Sequence, residues 1–254
     1  MLSTYDSDGC GIFSFQLISA LREVGYNAQI LCLKNTSSNC DAKGIFDKKP
    51  ISYLLYKIKS LLLRLIYNSD AEYAFIDTTS IANNIVLSSD VWPCKCKLLI
   101  ITYVSGMLSP STVSDIRKKY GNPPVIYYGV DMGLFTGGCH YARECVKYTE
   151  NCSDCPAVSL IVKNRVQHIY FQKCHNARNI HDHLVIASSA EHYKQIRSSR
   201  IFNKSNITKI LMYVDDRKCG FEEGMRQTLK LQYGFTHRII LLRSSAEPRK
   251  GSQQ

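Results

Sequence analysis

The chain is expected to fold as an α/β domain built on a parallel sheet. Short apolar runs of strand length alternate with longer segments of helical periodicity from about residue 28 onward. The runs Ala28–Leu33, Leu98–Tyr103, Val125–Val130 and Leu184–Ser188 are largely apolar, as strands covered on both faces are. A chain of 254 residues, 45% of them apolar, suffices for one large domain or two small ones with real cores. The expected architecture is Rossmann-like, with helices on both faces and ligands beyond the carboxyl ends of the strands.

Taken in order, Met1–Thr4 are all that precede the first turn, so the chain is expected to begin inside its first strand. Ser7-Asp8-Gly9-Cys10-Gly11 then feeds a helix over 12–24, where Phe13, Leu17, Leu21 and Val24 share one face. Gly9 and Gly11 can bring backbone N–H groups and a positive helix end to a phosphate. Two glycines before a helix equally serve a plain capped start. Gly25 closes the helix, Ala28–Leu33 is a buried strand, and 34–49 is a polar loop.

Ile51–Tyr67 reads as a long helix with three cations and no acid. Lys57, Ser60 and Arg64 line one of its faces, with Lys59 set apart. Such a helix suits an anionic membrane surface or packing on the sheet with its Lys–Arg face outward. Tyr73–Asp77 and Leu98–Tyr103 follow as strands with room for a helix between them. Next come a helix over Ser111–Lys119, the strand Val125–Val130 and a helix over Val158–Lys173. After the strand Leu184–Ser188, a helix over Ala190–Arg200 precedes a strand over Ile207–Val214. Glu222–Gln232 is a final helix and Arg238–Leu242 a final strand.

The formal net charge of +11 points to an anionic partner: nucleic acid, a phosphorylated ligand or an acidic membrane surface. Nucleic acid is not expected, because no strand set interleaves aromatic with basic residues. The N-terminus has neither a basic start nor an apolar run, so no secretory signal is read there. Eleven cysteines without such a signal fit a reducing, cytoplasmic setting. Cys32 and Cys174, among apolar neighbours, are expected core thiols.

The densest chemistry lies in Asp131–Pro156, DMGLFTGGCHYARECVKYTENCSDCP. Three readings stand open. Cys139, Cys145, Cys152 and Cys155 offer four thiolates to a structural zinc, though only one C-x-x-C pair is present. Cys139 and His140 could form a nucleophile and base, but sequence neighbours usually point apart. Asp131, Thr136, Gly137, Gly138 and His140 could instead line a ligand, with a carboxylate, bare backbone and a group that moves protons near neutrality.

The same stretch resembles the signature of a bacterial branch of glycosyltransferase family 4. That branch carries a Thr-Gly-Gly-Cys-His-Tyr run and spaced cysteines ending in Cys-x-x-Cys-Pro. Ser7–Gly11, Ser188-Ser189 and Pro248-Arg249-Lys250-Gly251 are similar to further family segments, so the likeness covers nearly the whole chain. It departs at Val130, where many relatives have His, at Gly133-Leu134 in place of Trp-Pro, and at Leu211-Met212-Tyr213 in place of Pro-Asn-Gly.

The resemblance implies the N-terminal half of a two-domain GT-B fold. Residues 1–205 would form the acceptor-side domain. Residues 206–254 would form the crossover and the start of a donor-binding domain. It implies a retaining hexosyl transfer from a nucleotide-sugar donor, without a catalytic metal, to a glycan or polyprenyl-phosphate-linked acceptor. The setting would be capsule, exopolysaccharide or lipopolysaccharide synthesis, on the cytoplasmic side or peripherally on the inner membrane. Asp131 and His140 would border the acceptor. Gly9, Gly11, Thr136, Gly137 and Gly138 would line substrate, and Arg249 and Lys250 would neutralise the donor diphosphate. With most of the donor domain lacking, this chain alone is expected to transfer sugar weakly or not at all. The alternative is a zinc-stabilised basic module for nucleic acid or anionic membranes.

Overall fold

A computed structural model of the chain describes residues 1–7, 9–77, 92–93, 95–212, 223–232 and 234. It divides into two compact units, 1–212 and 213–254. In the first, helix α1 (Gly9–Glu23) precedes β1 (Ile30–Cys32) and β2 (Ala42–Gly44), and α2 (Pro50–Tyr67) follows. Then come β3 (Leu99–Ile101), α3 (Pro110–Lys119), β4 (Val125–Gly129), α4 (Lys163–Asn179), β5 (His183–Ala187), α5 (Ala190–Ser198) and β6 (Asn206–Lys209). The second unit is described only through α6 (Glu223–Gln232) and Gly234.

All pairings between named strands are parallel, β1 with β2 and then β3-β4-β5-β6 in order. The two groups are stitched by Met1–Thr4. Leu2 bridges Leu31 on one side and Ile101 on the other, both in parallel. The amides of Leu2 and Thr4 donate to Ile100 and Tyr103, while that of Ser3 donates to Leu31. The expected first strand is therefore present, between β1 and β3. Across the unit the order is β2-β1-segment-β3-β4-β5-β6, and the direction of travel reverses between the segment and β3.

Consecutive residues of β1 and β3 are buried without alternation, so both faces of the sheet are covered. The fold is Rossmann-like α/β, as the sequence predicts. Tyr170, Ile169 and Val166 of α4 are fully buried, alongside Phe46, Phe135 and Ile101. Among the described residues no helix is long and apolar enough to cross a membrane.

Four expectations are corrected. Ala42–Gly44, read as loop, is a short strand, because backbone pairing needs no apolar side chain at an edge. Tyr73–Asp77 is no strand of the parallel sheet: Ala71–Tyr73 is a single 3-10 turn, and Phe75 bridges Cys139 in the antiparallel sense. The helix expected over 158–173 starts later and runs to Asn179, after a 3-10 turn at Leu160–Val162. Asn206–Lys209, placed beyond the domain boundary by the sequence, pairs with β5 and belongs to the first unit. The strand expected at 238–242 and most of the helix expected between 78 and 97 lie outside the described residues.

Gly11 explains how α1 sits against the first turn. A Cβ there would lie 2.3 Å from the Asp6 carbonyl carbon, whereas one on Gly9 would meet nothing within 4 Å. Gly11→Ala is expected to destabilise the unit by about 2 kcal/mol through overpacking. Gly9→Ala is expected to be neutral or to gain about 0.5 kcal/mol. Urea midpoints of the two variants check the contrast.

Candidate functional site

A cleft of about 480 Å³ in the first unit opens where the strand order reverses. Thr4–Ser7 leave the first strand there, Leu33 and Lys34 leave β1, and Ser105 and Gly106 lie past the end of β3. Helix α2 forms its far wall with Tyr53, Tyr56, Lys57, Ser60 and Arg64. This is the position in which open α/β sheets bind ligands. The Lys57–Ser60–Arg64 face therefore turns toward the cleft and is not simply a solvated outer face.

The charges of the cleft are unequal in their commitments. Asp6 accepts the Thr36 and Ser37 amides at 2.8 and 2.7 Å and the Thr36 hydroxyl at 2.6 Å. Burial opposes its ionisation, but those bonds outweigh burial and hold the carboxyl below its usual range. Asp77 is buried and accepts the Tyr67 hydroxyl at 2.5 Å and Arg165 Nε at 3.0 Å. Both acids are spent. Lys34 and Lys57 instead lie over the Tyr53 ring, at 5.0 and 5.3 Å from its centroid. Lys34, Lys57 and Arg64 form no ion pair among those found in the described residues. The cleft therefore keeps a surplus of positive charge.

Behind its wall lies the loop after β4. Asp131 caps a 3-10 turn at Met132–Leu134, its Oδ1 accepting the Gly133 amide at 2.8 Å. Its Oδ2 stands 2.7 Å from His140 Nδ1. A carboxylate only accepts, so Nδ1 carries the proton and, in a neutral ring, Nε2 presents a lone pair. Nε2 is the only buried side-chain polar atom, among the described residues, without a hydrogen-bond partner. The imidazole lies under the Tyr103 ring, at 4.9 Å between centroids, and Tyr103 in turn meets Tyr5 of the cleft at 5.9 Å. Tyr103 thus stands between His140 and the cleft.

Two groups that the sequence reading missed hold this loop. Lys173 of α4 is buried and donates to the carbonyls of Gly133 and Thr136 at 2.6 and 2.9 Å. Burial lowers its pKa to about 8. His192 of α5 places Nε2 3.1 Å from the Asp131 carbonyl and Nδ1 3.0 Å from the Ser188 hydroxyl. Burial pulls its pKa below the ordinary histidine value. Only the Lys and His themselves could have signalled these roles, since the loop carbonyls they reach are 37 to 61 residues away in sequence.

Thr136, Gly137 and Gly138 face inward. The Thr136 hydroxyl donates to the Cys139 carbonyl at 2.7 Å. A Cβ on Gly137 would lie 2.6 Å from Val166, and one on Gly138, whose φ is +144°, would lie 2.6 Å from Phe75. The glycines let the loop pass closely under α4 and beside Phe75. Gly9 and Gly11 are helical residues of α1, and Gly11 is buried. Arg249 and Lys250 lie outside the described residues.

Cys139, Cys145, Cys152 and Cys155 all line one small apolar cavity with Tyr73 and Tyr148. Among the described residues, however, no three Cys, His, Asp or Glu side chains converge closely enough to hold a metal ion. Cys139 shares a hydrogen bond with Cys155, which raises the Cys139 pKa and lowers that of Cys155. Cys155 is the better thiolate because the Ala157 amide and the ammonium groups of Lys163 and Lys147 also favour its anion. The pairing of His140 with Asp131, and of Cys139 with Cys155, leaves no Cys139–His140 dyad.

Lys173→Met would leave two buried carbonyls without their donor, at an expected cost of roughly 2–3 kcal/mol. The pH dependence has a definite sign. The folded-state pKa of about 8 lies below the ordinary 10.5, so between those values the unfolded chain binds the extra proton. Stability of the wild type relative to Lys173→Met should therefore rise from pH 8 toward 10.5, as paired urea titrations would show. Compared with known proteins, the chain matches no family model, no curated protein and no solved structure.

Proposed function

We propose that the first unit is the acceptor-binding half of a retaining sugar transferase of the glycosyltransferase family 4 type. The observation that carries this reading is the cleft at the strand-order reversal, where Lys34, Lys57 and Arg64 face open space while both nearby acids are occupied. Three cations at one cleft, none of them in an ion pair among the described residues, suit a phosphate or diphosphate more than a neutral glycan alone. An acceptor sugar carried on a polyprenyl diphosphate would leave its phosphates there and extend its hydroxyls toward Tyr103 and His140.

In that reading Asp131 is a positioning residue. It fixes the imidazole so that Nε2 can accept a hydrogen bond from the acceptor hydroxyl once Tyr103 moves aside. The hydroxyl oxygen attacks the anomeric carbon of a nucleotide sugar, its proton passes to His140 Nε2, and the bond to the diphosphate breaks with the nucleoside diphosphate leaving as the anion. The donor nucleotide would be held by a second domain, to which Arg249 and Lys250 would contribute. Such an acceptor belongs to the inner face of a cytoplasmic membrane.

A zinc-held basic module is the second reading, and the shared cavity of four thiols favours it. Against it, Lys34, Lys57 and Arg64 converge on one cleft, which suits a small anionic ligand.

Calorimetric titration with farnesyl diphosphate tests the acceptor site. Binding is expected, with a loss of roughly tenfold in Lys57→Ala and in Arg64→Ala, as for a charge-assisted contact. Transfer from UDP-glucose, UDP-N-acetylglucosamine or GDP-mannose to a farnesyl-diphosphate-linked sugar, followed by mass spectrometry, is expected to be slow. It should drop at least about a hundredfold in His140→Ala. Absence of both binding and transfer would sink the transferase reading.

A further inference from the structure

Helix α2 divides into three faces. At about 100° per residue, Tyr56 and Tyr67 point into the core, where both are buried. Lys57, Ser60 and Arg64 border the cleft. Ile51, Leu54, Leu55, Ile58, Leu62 and Leu65 fall within an arc of roughly 100° on the side away from the core. Each of those six is between 48% and 76% exposed. At the helix end the Ser159 amide donates to the Tyr67 carbonyl at 3.0 Å, and the next two residues, Leu160 and Ile161, are 79% and 91% exposed. Soluble monomers rarely leave so many large aliphatic side chains together in water.

The flanks say what covers this face. From Lys48 to Tyr67 there is no acidic residue, whereas Lys48, Lys49, Lys57, Lys59 and Arg64 are all cationic. On the helix surface Lys57 and Arg64 border the apolar arc on one side and Lys59 on the other. Long cationic side chains beside an apolar stripe lay their stems along it and raise their heads to an anionic plane. A groove on another protein would have to supply carboxylates along both rims, whereas a bilayer with anionic lipids presents negative headgroups everywhere. The helix is also unable to cross a membrane, which leaves the in-plane orientation.

We propose that this face of α2, continued by Leu160 and Ile161, docks the protein onto an anionic phospholipid bilayer, with the mouth of the cationic cleft at the headgroups. The surface is read from α2 and its neighbours alone and goes beyond the transferase reading.

The test is co-sedimentation of the full chain with vesicles of phosphatidylcholine alone and of phosphatidylcholine with ~30% phosphatidylglycerol. Binding is expected to the second and at least about tenfold weaker to the first, and it should fall as salt is raised. The double variant Leu55→Glu/Leu62→Glu should lose binding by more than about tenfold. Its urea midpoint should stay unchanged, because both residues are exposed. Val24→Glu, also exposed but just past the end of α1 and off this face, should bind as the wild type does. No vesicle binding, equal binding to both compositions, or binding retained by the double variant would each overturn the proposal. So would a dimer in light scattering that the double variant dissolves while vesicles are ignored, since a second copy would then cover the face. Vesicle binding without farnesyl diphosphate binding or sugar transfer would leave the docking surface standing and remove the transferase. Transfer to a soluble acceptor without vesicle binding would do the reverse.

Discussion

Four residues at the start of the chain hold the sheet together. Met1–Thr4 are hydrogen-bonded on both edges, to β1 through Leu31 and Leu33 and to β3 through Ile100, Thr102 and Tyr103. A two-stranded pair such as β1-β2 is marginal by itself in water. Joined through this segment it shares a core with the four strands beyond. The same segment creates the functional geography: the chain leaves it first toward β1 and β2 and later returns to its other side at β3. Loops that depart in opposite directions from neighbouring strand ends cannot close over the gap between them. The cleft is a consequence of that strand order before any side chain is considered.

Around the cleft the protein buries charge only where each charge is answered. The Lys173 ammonium has two carbonyls, Asp77 has a phenol and a guanidinium, and Asp6 has two amides and a hydroxyl. Removing one partner from such a set leaves a buried charge or dipole exposed to a low dielectric, so these contacts fix the loops more sharply than apolar packing would. His140 is the exception. Its Nδ1 is held by Asp131, yet among the described residues Nε2 has no partner, at a cost of about 1–3 kcal/mol. A hydrogen-bond donor supplied by a ligand would recover that cost.

Much of the fold was legible from periodicity. Strands β3, β4 and β5 and helices α1, α2 and α3 lie where their apolar patterns place them, because those patterns report burial directly. Elements without such a pattern were not. Ala42–Gly44 is a strand by virtue of its backbone, and the apolar run near Phe75 belongs to a crossing segment, a distinction that a short run cannot carry. The Asp131–His140 loop was legible as chemistry from its composition. Its supports were not, since Lys173 and His192 reach it from α4 and α5 through tertiary contacts. In the sequence, Gly137 and Gly138 stand out for their freedom to approach a ligand. In the folded chain that freedom is spent on approach to Val166 and Phe75.

Helix α2 joins the two halves of the molecule's chemistry. Its tyrosines anchor it, its Lys57–Arg64 edge faces the cleft, and its remaining face is aliphatic and open. A helix with side chains is only about 10–12 Å across. An anion held at the cleft edge and a bilayer lying against the apolar face are therefore separated by no more than about one helix diameter. A phosphate on a long lipid could reach those cations while its hydrocarbon stayed in the membrane, without paying the roughly 0.8 kcal/mol per methylene of extraction. On the proposed reading, the position of one helix would set both where the protein rests and which end of an amphipathic acceptor enters its cleft. Shifting α2 by a single turn along its axis, about 5.4 Å, would separate the two functions. The buried contacts of Tyr56 with Phe46 and of Tyr67 with Phe75 hold it against that shift.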